Sequence, residues 1–188
     1  MEESGGERET KPRRRGPTTA ARAYFTALDA HDLDAAAALW KPGCTDRIVG
    51  MAEFTVPDGF KRWFGTLFAA FPDARIEVIS VTAQKENAAV RYRVTGTFDG
   101  TGRFEGLSPN GARVDVEGFD LFTVRDGLIV ENHGFINGAD LARQLGALPP
   151  QGSLAERGMT AALNARTAAG ELVGRLRERA GTGRSPRA

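Results

Sequence analysis

The apolar residues change their period at Phe71-Pro72-Asp73, and that change limits the chain to a small set of architectures. Before it, the spacing is helical. Ala21, Tyr24, Phe25 and Leu28 follow Thr18, a candidate N-cap. His31-Asp32 breaks that helix, Asp32 can cap the next one, "LDAAAALW", and Pro42-Gly43 ends it. Phe60, Trp63, Phe64, Leu67, Phe68 and Phe71 then recur at i, i+3, i+4, i+7, i+8 and i+11, a wide and mostly aromatic stripe on one helix. After Pro72 the period is two. "RIEVISVT", "AAVRYRVTGTF", "RVDVEGFDLFTV" and "LIVENHGFI" read as strands, joined by turns such as "SPNG" and "RDG". Helices followed by a strand meander predict an α+β domain, with the helices on one face of a curved antiparallel sheet and a pocket between the layers.

Composition bounds what surrounds that domain. The 188 residues carry a net charge of +1, so no overall field selects nucleic acid or an anionic membrane. One cysteine, Cys44, excludes an internal disulfide and a cysteine-built zinc site, and two histidines, His31 and His133, give no metal-ligand spacing. No apolar run approaches ~18 residues and no apolar h-region follows the first charges, so the expectation is a cytoplasmic protein. Residues 1–17 have no large apolar side chain after Met1 and are expected to be a disordered tail. The pocket domain is expected over 18–148, a Pro-containing linker over 149–152, a helix over 153–180 and a second tail over 181–188. "SLAE" starts that helix as a capping box with Ser153 as N-cap and Glu156 at N3. Leu154, Ala161, Ala165, Ala168, Leu172 and Leu176 form a thin stripe along it. Seven Arg against three acids make residues 153–188 basic, with docking or self-pairing the simplest use.

Pleat parity singles out one acid. On the strand 113–124 the even positions are Val114, Val116, Gly118, Asp120, Phe122 and Val124. A carboxyl in that row is desolvated, so its pKa rises and it spends more time as a hydrogen-bond donor. The chemical reading makes Asp120 an acid in the pocket. The plain reading pairs it with a backbone N–H or an Arg. In "LIVENHGFING", Asn132, Gly134 and Ile136 share one face if they point inward, and His133 then points to the other, where it packs or hydrogen-bonds. Phe122 and Trp63 read as core or pocket wall.

"ARAYFTALDAHDLDAAAALW" resembles the opening helices of nuclear-transport-factor-2-like domains. "FKRWFGTLFAAFPDARIEV", "GLSPNGARVDVEGFDLFTVRDGLIVE" and "LARQLGAL" resemble the SnoaL-like polyketide cyclase branch, over about residues 20–148. The resemblance implies a cone-shaped roll, a curved antiparallel sheet around N-terminal helices, with a deep apolar pocket and dimers formed through the outer sheet face. It implies ring closure, double-bond isomerisation or epoxide opening, with no metal and no organic cofactor in the cyclase and isomerase branches. It places Asp120 at a neutral acid's strand position and Tyr24 at its tyrosine partner's, a residue that the helix also accounts for as core. Cyclases of this branch read Glu-His-Trp-Asp, or close to it, where this chain reads "ENHG". Asn132 thus stands for the His, His133 for the Trp and Gly134 for the proton-moving Asp, and Gly134 leaves space for a bulkier ring. The isomerase base position is taken by Ile48. Asp46, two residues earlier, is either a base on the same face or a surface carboxylate paired with Arg47 or another cation.

Two functions follow. The first is general acid/base cyclisation or isomerisation of an apolar polycyclic substrate, with Asp120, Tyr24 and Asp46 carrying the chemistry and Asn132 orienting the substrate. The second is a binding or assembly module that kept the fold and lost the acids. The expected partners are a hydrophobic small molecule and a second copy of the chain, with neither nucleic acid nor membrane.

Overall fold

The computed structural model describes residues 15–181. The expected tails therefore lie outside the described residues, except for their inner ends. The side chains of Leu172 and Leu176 lie outside them too. The chain divides into two units at Leu141/Ala142.

In the first unit, α1 (Pro17–Asp29) starts one residue before the expected cap. Gly16 is the N-cap and makes no side-chain bond, while Pro17 holds the first helical position, where its missing N–H costs nothing. Asp32 does cap α2 (Leu33–Ala37), accepting from Ala35 N–H at 2.9 Å. The second helix is shorter than its apolar run suggested: Trp40 already belongs to β1 (Trp40–Ile48). β2 (Ala52–Thr55), α3 (Asp58–Ala70), β3 (Arg75–Gln84), β4 (Asn87–Phe98), β5 (Ala112–Arg125), β6 (Leu128–Ile136) and α4 (Gly138–Gln144) complete the order.

The strands form one sheet in the order β2-β1-β6-β5-β4-β3, curved and not closed. Every neighbouring pair is antiparallel except β1 and β6, which run parallel. That pairing sets Asp46 opposite Asn132 and Ile48 opposite Gly134. It brings the first strand beside the last.

The alternation on β5 is kept in full. Val114, Val116, Gly118, Asp120, Phe122 and Val124 are buried, and Glu117, Phe119 and Leu121 are exposed. α1 lies against the inner face, and Tyr24, Phe25 and Leu28 pack there with Phe122, Val90 and Ile129. α3 turns Phe60 and Phe64 into the same core. Full burial of such aromatic side chains contributes roughly 1.5–3 kcal/mol each. His31 has a positive φ of 56° and stacks on Phe68, with centroids 3.9 Å apart, tying the α1–α2 corner to α3.

In the second unit, α5 (Leu154–Gly181) begins as expected. Ser153 Oγ accepts from Glu156 N–H at 3.1 Å, and the Glu156 carboxylate accepts from Gly152 N–H and Arg143. Among the described residues no helix is long and apolar enough to cross a membrane.

Candidate active site

Between α1, α3 and the inner face of the sheet lies a cavity with about 860 Å³ of empty space, including the part open to solvent. Ligand sites are mostly apolar. Here Trp63, Phe64, Leu67, Phe68, Phe71 and Phe104 supply one wall. The aromatic stripe of α3 thus serves the cavity as well as the core.

Five polar side chains meet in this lining: Tyr24 from α1, Asp46 from β1, Tyr92 from β4, Asp120 from β5 and Asn132 from β6. They form one hydrogen-bonded chain. Tyr24 O–H donates to Asp46 Oδ2 at 3.1 Å. Asn132 Nδ2 donates to Asp46 Oδ1 and to Asp120 Oδ2, both at 2.9 Å. Tyr92 O–H donates to Asp120 Oδ1 at 2.9 Å. Asp46, Asp120 and Asn132 are 1%, 5% and 2% exposed, so both carboxyls sit in low dielectric, and among the described residues no cationic side chain bonds to them.

Burial dominates their acidity. It pushes Asp46 up to about 7, with the nearby Asp120 charge adding to the rise and the bonds from Asn132 and Tyr24 opposing it. It pushes Asp120 up to about 6 against the bonds from Asn132 and Tyr92. Burial also raises both tyrosine hydroxyls well above their ordinary value, so they remain donors.

Asp46 therefore departs from its surface reading. β1 is extended at this point, so Asp46 faces in with Ile48 while Arg47 faces out and pairs with Glu53 at 2.7 Å. Asp120 bonds neither a backbone N–H nor an Arg. Its tyrosine is Tyr92, and Tyr24 serves Asp46 instead. Ile48, Trp63, Asn132 and Ile136 line the cavity as expected positions do. Phe122 and Gly134 are not part of the lining. Phe122 is fully buried beneath Tyr24, with centroids 5.3 Å apart. A Cβ at Gly134 would lie 2.8 Å from Asp120 Oδ1, so the space that glycine leaves holds the carboxyl rather than a ring of the ligand. Thr95 also contributes to the lining. His133 does point outward, with Nε2 3.2 Å from Glu131 Oε1.

Tyr92 is the site residue that sequence reasoning passed over. Its ring lies over Gly118, its cross-strand partner, and any Cβ there would overlap it. A glycine inside an otherwise apolar strand, opposite a tyrosine, was the available signal.

The SnoaL-like polyketide cyclase family profile matches residues 18–145. Among solved structures, AclR from Streptomyces galilaeus, assigned as a hydroxylase, is 28% identical, with a TM-score of 0.62 over 71% of this chain and 97% of its own. A protein from Jannaschia sp. CCS1, assigned as a SnoaL-like polyketide cyclase, is 25% identical, with a TM-score of 0.60 over 74% and 99%. IdmH from Streptomyces antibioticus, assigned as a polyketide cyclase, is 24% identical, with a TM-score of 0.56 over 69% and 98%, and supports the fold alone. The comparison with curated proteins gives no match.

Proposed function

The chain belongs to the SnoaL-like polyketide cyclase family, and on that premise we propose that it performs general acid/base cyclisation or isomerisation of an apolar, polycyclic, polyketide-like substrate. The observation that carries this reading is the pair of buried carboxyls at the cavity, joined through Asn132 and bonded to no cation. A purely structural polar cluster is more economically built with a cation or with neutral groups, because each buried charge is costly. Two carboxyls whose environments hold them near neutrality, one above the other, divide naturally into a base and an acid.

Asp120, the more acidic, is the base. It takes a proton from a carbon next to a substrate carbonyl. Asp46 keeps its proton to higher pH and delivers it to the oxygen on which negative charge builds, giving an enol. As the enol O–H returns its proton to Asp46, the carbon chain either attacks a second carbonyl, whose oxygen takes the proton from Asp120 as the ring closes, or takes that proton from Asp120 at a conjugated carbon, which moves the double bond. Asn132 holds the two carboxyls in register, while Tyr24 and Tyr92 fix the outer oxygens. The polar residues expected for this family on β6 are absent, and the acid pair is built instead from β1 and β5. The same geometry weakens the binding-module reading, which rested on the missing acids.

Carboxyl-carbon NMR titration of the intact protein tests this reading. Asp46 and Asp120 are expected to titrate near 7 and 6. Midpoints for both at or below ~4, the ordinary range, would remove the acid/base pair.

The outer sheet face belongs to the same proposal as the surface that pairs two copies. Phe119, Leu121 and Phe135 are adjacent there and each nearly half exposed. Arg91 and Arg93 are neutralised by Glu117 and Asp115, which leaves the apolar patch without a competing charge. Light scattering at micromolar concentration should give twice the 20.2 kDa chain mass, and Phe135→Glu should halve it without unfolding the protein. A monomeric parent chain would refute the pairing.

A further inference from the structure

Resting on the proposed reaction, we infer that the occupant of the cavity is a hydroxylated ring system that donates an O–H hydrogen bond to Asn132 Oδ1. The inference comes from counting donors against acceptors in the polar cluster. Tyr24 and Tyr92 have one hydroxyl hydrogen each, and the Asn132 amide has two. All four are directed at the four oxygens of Asp46 and Asp120. The hydroxyl and amide hydrogens of the cluster are thus all taken, and what it can still donate is the proton that Asp46 holds for the substrate oxygen.

The one atom in it with no partner is Asn132 Oδ1, which is buried. The opposite orientation of that amide would set its oxygen against the ionised Asp120, so the carbonyl is the open end. Asn132 belongs to the cavity lining, and among the described residues no Arg, Lys or His does. Thr95 and Trp63, on β4 and α3, carry the other polar side-chain atoms of the lining. A buried acceptor without a partner is costly, and a bound group that supplies the missing hydrogen removes that cost. A phenol or alcohol supplies it. A ketone, an ether or a bare hydrocarbon in the same place leaves it unmet. This demand is for a donor, distinct from the carbonyl on which the proposed acid and base act, so the substrate class carries both groups.

Three naphthalenes of nearly equal size separate the cases: 2-naphthol can donate, whereas 2-methoxynaphthalene and 2-acetonaphthone can only accept. Calorimetry on the full chain at pH 7 should show 2-naphthol binding about tenfold to a hundredfold tighter than 2-methoxynaphthalene, since sites built to hydrogen-bond a hydroxyl reject analogues that lack it, while the ketone is held by the Asp46 proton instead. The carbon-13 resonance of the Asn132 side-chain carbonyl should shift on adding 2-naphthol and stay in place with the ether. Equal affinities for the naphthol and the ether would overturn the inference. A preference for naphthol with the Asn132 resonance unmoved would overturn it as well, by sending the hydroxyl to a carboxylate. If none of the three binds, the apolar-ring reading of the cavity fails and takes the inference with it. If all bind equally, only the inference fails.

Discussion

Asp120→Asn is expected to lower turnover by ~10²–10⁴ while the protein still folds and still binds its ligand. Asparagine keeps the size of the side chain, can still accept from Asn132 and can donate to the Tyr92 oxygen, but it cannot take up a proton. The affinity of a ring ligand should change little, because the aromatic wall from α3 is untouched. Asp46→Asn removes the proton delivered to the developing oxyanion, and a group of that kind is typically worth ~10²–10³ in rate. The two effects should not multiply. Groups that act as a unit are lost together, so the double variant should be about as slow as the worse single one. The pH profile adds a second readout. The parent rate should rise through about 6, as Asp120 ionises, and fall through about 7, as Asp46 loses its proton. Asp120→Asn should abolish the rising limb and Asp46→Asn the falling one. Turnover by either variant at the parent rate, with an unchanged profile, would show that the pair does no chemistry.

The melting temperature of the parent chain should fall as pH rises from 5 to 8. The ordinary carboxyl value here is 3.8, and folding raises it to about 6 in Asp120 and about 7 in Asp46. Between the unfolded and folded values the folded chain holds protons that the unfolded chain has already released. Raising the pH strips them only from the folded state, so it favours unfolding. Each pH unit of displacement is worth ~1.4 kcal/mol, which puts each carboxyl's contribution on the order of 3 kcal/mol over its whole window. The melting temperature should drop by roughly ten degrees across this range. Asp46→Asn should flatten the curve and melt higher than the parent at pH 8. Asp73 works in the other direction: bonds from the Thr97 backbone and side chain hold its carboxyl low, so what it adds fades only below about pH 4. A parent curve that is flat, or that rises to pH 8, would contradict the buried pair.

How much of this was legible in the sequence depended on whether local pattern or distant pairing determined the element. α3 and β5 repeat cleanly at their own periods, and both Asp120 and the aromatic wall follow from that alone. β1 does not. "WKPGCTDRI" carries Pro42, Gly43 and three charged residues, and it holds an extended form because β6 and β2 flank it. Its register shifts between Trp40 and Thr45, around Gly43 with its φ of 81°. Residue counting from Trp40 therefore does not give the facing of Asp46. Tyr92 faces the cavity, but its bond to Asp120 depends on the absence of a side chain at Gly118. A pattern of apolar residues does not encode an empty space. Tyr24 was assigned to the wrong acid for a similar reason: resemblance supplies a residue's place on a helix and not the strand that its hydroxyl meets.

The parallel pairing of β1 with β6 also ties the chemistry to the order of assembly. Asn132 reaches Asp46 across 86 residues of chain, and Asp120 across only 12. The β4–β5–β6 meander can form from near neighbours. The edge that carries Asp46 must wait until β6 exists, and contacts so distant in sequence are slow to close. During synthesis β1 leaves the ribosome long before its partner. The acid pair is therefore complete only once the sheet is, and a nascent or partly folded chain holds one carboxyl where the reaction needs two.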